Sequence, residues 1–332
     1  MTAMRYYTFQ VATPLGPVNR IGAERDGLLV DLTAAAALKL EGDGEPDWAE
    51  YAAFLVPPDL IEYLERGEKS QSLVQHSLRA VGSLLPKVET VGPDGARLAY
   101  RFDEIRLLAP VPRPNIVWDS MVFHEHVKMG RPVIPDVFFE WPPYFTQSGA
   151  IVAGPHDPIV KPRFTEQLDF EVEFGAIIGK KGINIVQEEA ESYIAGFTIY
   201  NDISARDVQF REMEMMLGPA KGKNFEGANV MGPCLVTLDE IDYDNLRMIA
   251  RVNGETIVDD NSSAMYHKFP RLIEWISQEE YLYPGDFIAS GTCDHGTAMT
   301  STLKRWLQVG DVMEIEIPGI GTIRNEVVAS PR

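Results

Sequence analysis

The clearest pattern of hydrophobic and polar positions lies in LDFEVEFGAII, residues 168–178. Apolar side chains alternate there with three carboxylates, Asp169, Glu171 and Glu173. A period of two predicts a β-strand with one apolar face, and it places the carboxylates on the opposite face at a spacing of roughly 7 Å. Such a row repels itself unless a positive charge lies on it. Taken alone, the pattern is more typical of a solvated strand face than of a metal site.

A second segment changes this interpretation. The apolar run 194–200 ends in Asn201 and Asp202, and a polar turn follows that carries Arg206 and Asp207. An acidic residue at a strand end, followed by an arginine, suits a divalent cation next to an anionic substrate. Together the two segments predict a site for a hard metal with oxygen ligands.

The remaining pattern predicts a mixed, mostly β protein. A turn-rich stretch with several prolines follows residue 91 and predicts a boundary near residue 105, between a small α+β domain (1–105) and a larger domain (106–332). Asn253-Gly254 and Gly319-Ile320-Gly321 are hairpin signals. Short strands with frequent Gly and Pro favour a closed or curled sheet over a doubly wound one. The predicted helices are 48–55, 59–66, 71–85, 187–195, 205–216 and 270–278.

Composition narrows the choice of partners and compartment. The net charge of −19 argues against nucleic acid or an anionic membrane surface as a partner, because both are bound by clustered Lys and Arg. With only two cysteines, Cys234 and Cys293, a disulfide framework or a Cys-rich zinc site is not expected. No apolar stretch approaches the length of a membrane span, and the first residues lack a signal-peptide pattern, so we expect a cytoplasmic protein.

Seven motifs carry a family resemblance. In chain order they are WDSMVFHEH, LDFEVEFGAIIGKKG, GFTIYNDISARDVQ, LGPAKGKNF, VNGETIVDDNSSAM, PGDFIASGT and VGDVMEIEIPGIGTIRNEV. They are similar to the successive signatures of the fumarylacetoacetate hydrolase family, and residues 5–35 resemble the N-terminal domain that many members carry. The resemblance implies the family's C-terminal β-barrel or β-roll fold with a smaller α+β domain, a divalent ion (Mg2+, or Ca2+ or Mn2+) and a homodimer.

The resemblance also implies roles for individual residues. The family's metal ligands match Asp119, Glu171, Glu173 and Asp202. Its general base matches His126, seven residues after Asp119, and the catalytic cations match Lys223 and Arg206. The substrate-binding positions match Met121, Arg206, Gln209, Lys223 and Thr292.

The sequence departs from the family pattern in three places. Met121 stands where an aromatic residue is common, and Asn224 replaces the serine after the lysine. In long members a glutamate about fourteen residues after the Gly-Thr turn orients the histidine, whereas residues 298–306 contain no acid. The candidates for polarising the histidine are then Glu125, Asp294 and His124.

The residue types suit cleavage of a C–C bond between two carbonyls. A divalent metal can polarise the carbonyls, a histidine of near-neutral pKa can take a proton from water, and a lysine and an arginine can meet the oxyanion or the substrate carboxylate. We therefore predict a metal-dependent hydrolase of 1,3-dicarbonyl anions, either acylpyruvates or fumarylacetoacetate-like substrates. The alternative is a lyase or isomerase of the same fold: a 2-oxo acid decarboxylase, a hydratase or dehydratase, or a keto–enol isomerase. A remoter alternative is a metal-stabilised binding protein without turnover.

Other signals favour less specific interpretations. His124 and His126 form an H-x-H pair that zinc could use, but no downstream histidine stands in a matching context. The loop GPAKGKN is one residue short of a phosphate loop and has Asn224 at the Ser or Thr position. The apolar-rich stretches 213–217 and 230–235 flank the predicted site and favour a homodimer interface there.

Overall fold

The structure is a computed structural model of the chain, and it describes residues 4–82, 90–130 and 133–331. Nineteen strands and eight α-helices are assigned within these residues. The strands are β1 (Arg5–Thr13), β2 (Gly16–Arg25), β3 (Leu28–Asp31), β4 (Ala99–Tyr100), β5 (Arg106–Leu107), β6 (Val117–Ser120), β7 (Tyr144–Gln147), β8 (Val152–Ala153), β9 (Ile159–Lys161), β10 (Leu168–Asp169), β11 (Val172–Ile178), β12 (Ile194–Asp202), β13 (Ser204–Ala205), β14 (Asn229–Val236), β15 (Arg247–Val252), β16 (Glu255–Asn261), β17 (Phe287–Ala289), β18 (Val312–Ile317) and β19 (Gly321–Ala329).

The helices are fewer and mostly short. They are α1 (Leu32–Gly42), α2 (Trp48–Leu55), α3 (Leu60–Glu65), α4 (Glu68–Val81), α5 (His124–Gly130), α6 (Val137–Glu140), α7 (Arg206–Glu214) and α8 (Phe269–Ile276). The predicted helix 187–195 is a 3-10 helix, Gln187–Tyr193. Predicted helix 71–85 corresponds to α4, and its last residues lie outside the described part of the chain. None of the described helices is long and apolar enough to cross a membrane.

Three sheets organise the strands. A twelve-stranded sheet follows the path β4-β3-β2-β1-β14-β12-β11-β17-β6-β7, with β5 beside β1 and β8 beside β14. A five-stranded sheet follows β16-β15-β18-β19-β9, and β10 pairs with β13. The mostly β fold is thus confirmed. Of the predicted closed or curled sheet, the closed form is not found, because none of these paths closes on itself within the described residues. Strand β14 gives one edge to β12 and the other to β1, which opens the sheet toward the N-terminal strands.

The large sheet crosses the predicted boundary at residue 105. Strand β1 pairs with β14 in antiparallel register, with Arg5 opposite Val236. Both hydrophobic clusters accordingly contain residues from both sides of the boundary. The division into 1–105 and 106–332 therefore stays a prediction. The stretch 230–235, which we expected at a dimer interface, lies inside β14, where its apolar side chains are buried in the core.

The acidic segment 168–178 is two strands rather than one. Asp169 ends β10, and its carboxylate accepts a hydrogen bond from the backbone N of Phe170 at 2.8 Å, which turns the chain before β11 begins at Val172. All positions from Leu168 to Ile178 are buried, because β11 lies between β12 and β17 in the large sheet. The interpretation as a solvated strand face is wrong.

The hairpin signals are confirmed, while three of the described helices, α1, α5 and α6, are not among the predicted ones. Asn253 and Gly254 both have positive φ and connect β15 to β16, and Gly319 lies in the turn between β18 and β19. Helix α1 has the sequence LTAAAALKLEG, with a run of buried alanines instead of an amphipathic period. Its start is fixed by Asp31, whose side chain accepts a hydrogen bond from the backbone N of Ala34.

Candidate active site and metal centre

Four buried carboxylates meet where neighbouring strands of the large sheet end. Asp119 lies on β6, Glu171 directly before β11, Glu173 on β11, and Asp202 at the end of β12. In the large sheet β11 pairs with β12 on one side and with β17 on the other, and β17 pairs with β6. This strand order brings the four carboxylates together. One oxygen of each carboxylate lies within 4.8 Å of an oxygen of every other. The four predicted metal ligands therefore form one cluster.

Two cations only partly compensate this charge. The Lys223 Nζ forms ion pairs with Asp202 and with Glu171, the latter at 2.9 Å. The Arg206 Nη2 lies 2.7 Å from Glu171 Oε1, and its Nε donates to Asp169. Glu173 Oε2 and Asp202 Oδ1 are buried and have no hydrogen-bond partner among the described residues. An excess of carboxylates with free, buried oxygen atoms fits a hard divalent cation.

The carboxyl pKa values show the same imbalance. Burial, and after it the charge of Asp202, raises the pKa of Asp119 well above its usual range. Burial and Asp119 raise the pKa of Glu173 in the same way, and burial raises the pKa of Asp202 to about 6 although Lys223 opposes it. Burial alone would also raise the pKa of Glu171, but the charges of Lys223 and Arg206 outweigh burial and lower the pKa of this carboxyl. A bound cation would favour the ionised form of all four.

A cavity of about 270 Å3 opens onto this cluster. The structure brings the predicted catalytic and substrate-binding residues together in its wall: Met121, His126, Arg206, Gln209, Lys223 and Thr292. Asp119 and Glu171 also line it, whereas Glu173 and Asp202 are not part of its lining. The cavity, which we call the reactive cavity, therefore has carboxylate, imidazole and cationic side chains in its wall.

His126 lies on α5, and its half-buried side chain lines the reactive cavity. Burial lowers its pKa, so the ring is neutral near pH 7. Its Nδ1 has no hydrogen-bond partner among the described residues. Of the three acids and bases expected to polarise it, Asp294 accepts a hydrogen bond only from the His126 backbone N, at 3.2 Å, and Glu125 pairs with His124 and Lys128 instead.

The zinc alternative for the H-x-H pair is wrong for the described residues. His124 Nδ1 is paired with Glu125 at 2.9 Å, and its ring packs against Phe138 and Phe139. The cluster of possible metal ligands found among the described residues contains carboxylates and no histidine. His124 therefore packs outside the reactive cavity, whereas His126 lines it.

Arg206 and Gln209 share one face of α7, three residues apart. The Arg206 Nη1 donates to Gln209 Oε1 at 2.9 Å, and its Nε donates to Asp169 Oδ2 at 2.7 Å. Asp169 also accepts from the backbone N of Ala298. Asp169 thus holds the arginine and takes no part in the carboxylate cluster, although the period-two pattern grouped it with Glu171.

A family model described as fumarylacetoacetate (FAA) hydrolase C-terminal matches residues 115–328. The chain belongs to the fumarylacetoacetate hydrolase family. It is 33% identical over 328 residues to the oxaloacetate tautomerase FAHD2A, mitochondrial, of Bos taurus, covering 98% of this chain and 92% of that protein. It is 35% identical over 279 residues to the oxaloacetate tautomerase YisK of Bacillus subtilis, covering 82% and 87%.

Solved structures agree with this assignment. The fumarylacetoacetate hydrolase from the psychrophilic Exiguobacterium antarcticum superposes with a TM-score of 0.72 at 27% identity, covering 98% of this chain and 100% of that chain. This fumarylacetoacetate hydrolase family member therefore shares the fold along nearly its whole length.

The loop that carries Lys223 is held by a residue that the sequence did not single out. Both carboxylate oxygens of Glu212, on α7, accept hydrogen bonds from the backbone N of Ala220, Lys221 and Gly222, at 3.0, 2.6 and 3.1 Å. A Cβ on Gly222 would lie 2.7 Å from the Gln209 backbone N, so only glycine permits this approach. Glu212 could not be recognised from the sequence, because its hydrogen-bond partners lie in a loop eight to ten residues further along the chain.

Asn224, which departs from the family pattern, and two neighbours of the carboxylate cluster make further contacts. Asn224 accepts a hydrogen bond from the Ser148 backbone N and donates to the Ala220 carbonyl, so its amide ties the lysine loop to the segment after β7. Gln147 donates to Asp119 at 2.8 Å and orients that ligand, a role that the sequence did not indicate. Thr292 contacts Glu173, at 3.4 Å, as well as the reactive cavity.

Proposed function

We propose that this protein is a divalent-metal-dependent keto–enol isomerase of small 2-oxo acid anions such as oxaloacetate. The observation that carries the proposal is the position of the His126 imidazole in the same cavity as the carboxylate cluster, with its Nδ1 unpaired among the described residues and its pKa lowered by burial. Such a ring can both accept and return a proton. The names of the bovine and Bacillus relatives, both oxaloacetate tautomerases, support the same reaction class.

Four carboxylates would hold the cation: Asp119, Glu171, Glu173 and Asp202. When bound, the cation would polarise the 2-oxo group and make the neighbouring C–H more acidic. Mg2+ is the ion that we propose, because the ligand set consists of carboxylate oxygens.

The chain's own residues account for proton transfer and orientation. His126 takes a proton from C3 of the keto form and returns it to the 2-oxo oxygen, so the ring ends neutral and no water is consumed. Burial alone would lower the pKa of Lys223, but Asp202 and Glu171 outweigh it and raise the pKa. Lys223 therefore stays charged and stabilises negative charge on the enolate. Gln209 accepts from Arg206 through Oε1, which leaves its Nε2 to donate to a substrate carboxylate.

Hydrolysis of acylpyruvates, our first expectation from the sequence, is the second candidate function. It is favoured by a further cavity that adjoins the reactive cavity and gives room for more than a four-carbon acid. Both reactions begin with the same polarised dicarbonyl, and they differ in whether water attacks the second carbonyl.

One experiment separates these functions. Oxaloacetate enol and acetylpyruvate are mixed with the Mg2+-loaded protein, and loss of enol absorbance is followed together with product analysis. Faster ketonisation of oxaloacetate than with Mg2+ and buffer alone, without release of pyruvate and acetate from acetylpyruvate, supports the isomerase. Release of both fragments supports the hydrolase. Metal binding without either reaction would leave the binding protein as the explanation and would overturn our proposal.

A further inference from the structure

The His126 ring is not held by a hydrogen bond at Nδ1. That atom is buried and has no partner among the described residues, and Asp294, one of the acids expected to polarise the ring, bonds to the backbone of His126 instead. The position of the ring in the reactive cavity therefore depends on where the backbone of α5 lies. A residue that holds α5 in place also places the ring.

Asp294 holds the first turn of α5. The backbone N of His126, the third residue of this helix, donates to Asp294 Oδ1 at 3.2 Å across 168 positions of the chain. The first N–H groups of a helix have no partner within the helix, so a side chain that accepts from one of them stabilises the first turn. Glu125, the acid in that turn, pairs with His124 and Lys128 instead. The hydrogen bond to Asp294 is thus a tertiary contact at the start of the helix that carries His126.

The loop that carries Asp294 is bound to the strand of the carboxylate cluster. Val172 begins β11 and lies between Glu171 and Glu173. Its backbone N donates to the Gly296 carbonyl at 3.0 Å, and its carbonyl accepts from the Cys293 N at 3.1 Å. A Cβ on Gly296 would lie 2.7 Å from Cys293 Sγ, so the tight turn between them requires glycine. The two backbone bonds hold the loop in register with two of the four carboxylates.

A second acid holds the same loop from β16. The backbone N of His295 donates to Asp260 Oδ2 at 2.7 Å, and the His295 Nδ1 lies 3.1 Å from Asp260 Oδ1. Because His295 directly follows Asp294, this double contact fixes the residue next to the acceptor. Asp294 therefore has a bound neighbour on each side along the chain, Cys293 and His295.

We propose that Asp294 is a positioning residue for proton transfer. It joins α5 to a loop that is itself bound to the strand of Glu171 and Glu173, and it thereby fixes the distance between the His126 ring and the carboxylate cluster. A substrate bound at the cluster then has its reacting carbon at a set distance from the ring. This inference rests on the proposed function, because that function gives His126 the proton transfer.

Hydrogen exchange over the peptide 122–130 measures whether Asp294 holds the helix, without turnover. Asp294→Ala removes the acceptor, so the His126 amide should exchange roughly fivefold faster or more. Asp294→Asn keeps an oxygen that accepts a hydrogen bond and should keep the protection. Unchanged exchange in Asp294→Ala would overturn the proposal.

Kinetics on oxaloacetate enol shows whether the held helix matters for proton transfer. In Asp294→Ala kcat should fall by about 10- to 100-fold, the range for a small misplacement of a reacting group. The Kd of oxamate, an unreactive 2-oxo acid analogue, for the Mg2+-loaded protein should stay within about twofold, because its binding needs no proton transfer. Asp294→Asn should restore kcat to within about threefold of the original. A joint fall in kcat, oxamate affinity and Tm, or faster exchange with unchanged kcat, would overturn the proposal.

Glu125→Gln is the matched control, since it removes a carboxylate from the same turn of α5 whose partners are side chains. It should leave the exchange over 122–130 and kcat near the original values. Equal effects of Glu125→Gln and Asp294→Ala would show that negative charge near the helix start is responsible, which overturns the proposal. If Asp294→Ala does not fold, His295→Ala loosens the same loop without touching α5. It should speed the exchange and lower kcat by a few-fold, and no change in either would overturn the proposal.

Failure of the proposed function and failure of this inference give different results. If the original protein does not accelerate ketonisation, the proposed function fails, and the positioning role of Asp294 fails with it even where the His126 amide is protected. If the original protein accelerates ketonisation and Asp294→Ala keeps its kcat, the proposed function stands and this inference fails.

Discussion

Glu173 is the residue at which the metal centre is tested most directly. Glu173→Gln removes one charge at nearly constant volume from a cluster in which Oε2 has no partner and neighbouring carboxylates repel it. We expect the metal-free variant to be at least as stable as the original protein, because the repulsion is relieved. We expect Mg2+ to raise its Tm much less than that of the original protein, and catalytic activity to be lost. Thermal unfolding with and without Mg2+ measures this.

Chelation provides the control for the Glu173 prediction. Removing Mg2+ from the original protein should lower its Tm to or below that of the metal-free variant. A Glu173→Gln variant that keeps full activity, with or without a chelator, would show that the cluster does not hold the catalytic ion.

His126 and His124 offer a matched pair for the proton-transfer role. His126→Ala should lower kcat by roughly two to four orders of magnitude, the range for loss of a general base. His124→Ala should change kcat little, because His124 pairs with Glu125 and packs on Phe139 away from the reactive cavity. Steady-state kinetics on oxaloacetate enol compares the two. An inactive His124→Ala beside an active His126→Ala would show that the roles are assigned to the wrong ring.

Residue patterns predicted three members of the cluster, Glu171, Glu173 and Asp202, whereas Asp119 was expected only from the family resemblance and the supporting groups were not predicted. Asp202 could be predicted because an acid at the end of an apolar run has few structural uses. Asp169 could not be separated from Glu171, because a period of two treats alternate acids alike, and only the break after β10 turns Asp169 toward Arg206. Glu212 left no signal, since its three partners come from a loop that is placed by tertiary contacts.

At the scale of elements, α7 determines where the lysine loop lies. Glu212→Ala removes the acceptor for three consecutive backbone N–H groups and frees the loop that delivers Lys223 to Asp202. We expect kcat/KM to fall by about 10- to 100-fold, the range for loss of a residue that orients a catalytic group. Glu214→Ala, an exposed acid on the same helix, should stay near the original value. Steady-state kinetics of both variants tests this, with Tm as a check on folding. Equal kcat/KM values for the two variants would contradict the prediction.

Asp311 joins two elements of the five-stranded sheet. Burial alone would raise its pKa, but hydrogen bonds from Arg305, the Gln308 backbone N and Asn253 outweigh it and lower the pKa. A lowered pKa in the folded protein stabilises it above the ordinary value near pH 4, and this stabilisation is lost as the pH falls through the folded value. Asp311→Asn should therefore cost about 1.5–3 kcal/mol at pH 7.

Denaturant unfolding as a function of pH measures this difference. The gap in the free energy of unfolding between the original protein and Asp311→Asn should be widest above about pH 5 and should close below pH 4. A gap that is constant from pH 7 to pH 3 would show that the carboxylate charge is not what stabilises the turn.

Secondary structure was predictable where the pattern is local and periodic. The hairpin at Asn253-Gly254 and strand β18 follow from turn chemistry and alternation. Helix α1 was missed because its buried alanines have no amphipathic period. The sequence could not decide between a closed and a curled sheet, because it does not show which strand takes the edge of β14, a choice made by packing between distant segments.

At the scale of the whole molecule, a homodimer remains a prediction. The stretch 213–217 stays available for an interface, with Met215, Met216 and Leu217 at least 74% exposed, whereas 230–235 does not. With a net charge of −19, association must rest on a specific apolar patch. Light scattering at micromolar concentration should report about twice the chain mass of 37.1 kDa. Leu217→Glu should shift this toward the monomer, and a monomeric original protein would remove the prediction.

The pairing of β1 with β14 has a consequence for how the protein is made. Met4 and Thr237, which bond to each other at the end of this pair, are 233 positions apart in the chain. At about 5–20 residues per second, a ribosome needs roughly 10 to 50 s to pass from one to the other. Through that interval the hairpin of β1 and β2 has emerged with its outer edge, at residues 5 and 6, still without a partner. An unpaired strand edge can pair with another chain. We therefore expect the nascent chain to need a chaperone, or rapid completion of synthesis, to avoid aggregation through this edge.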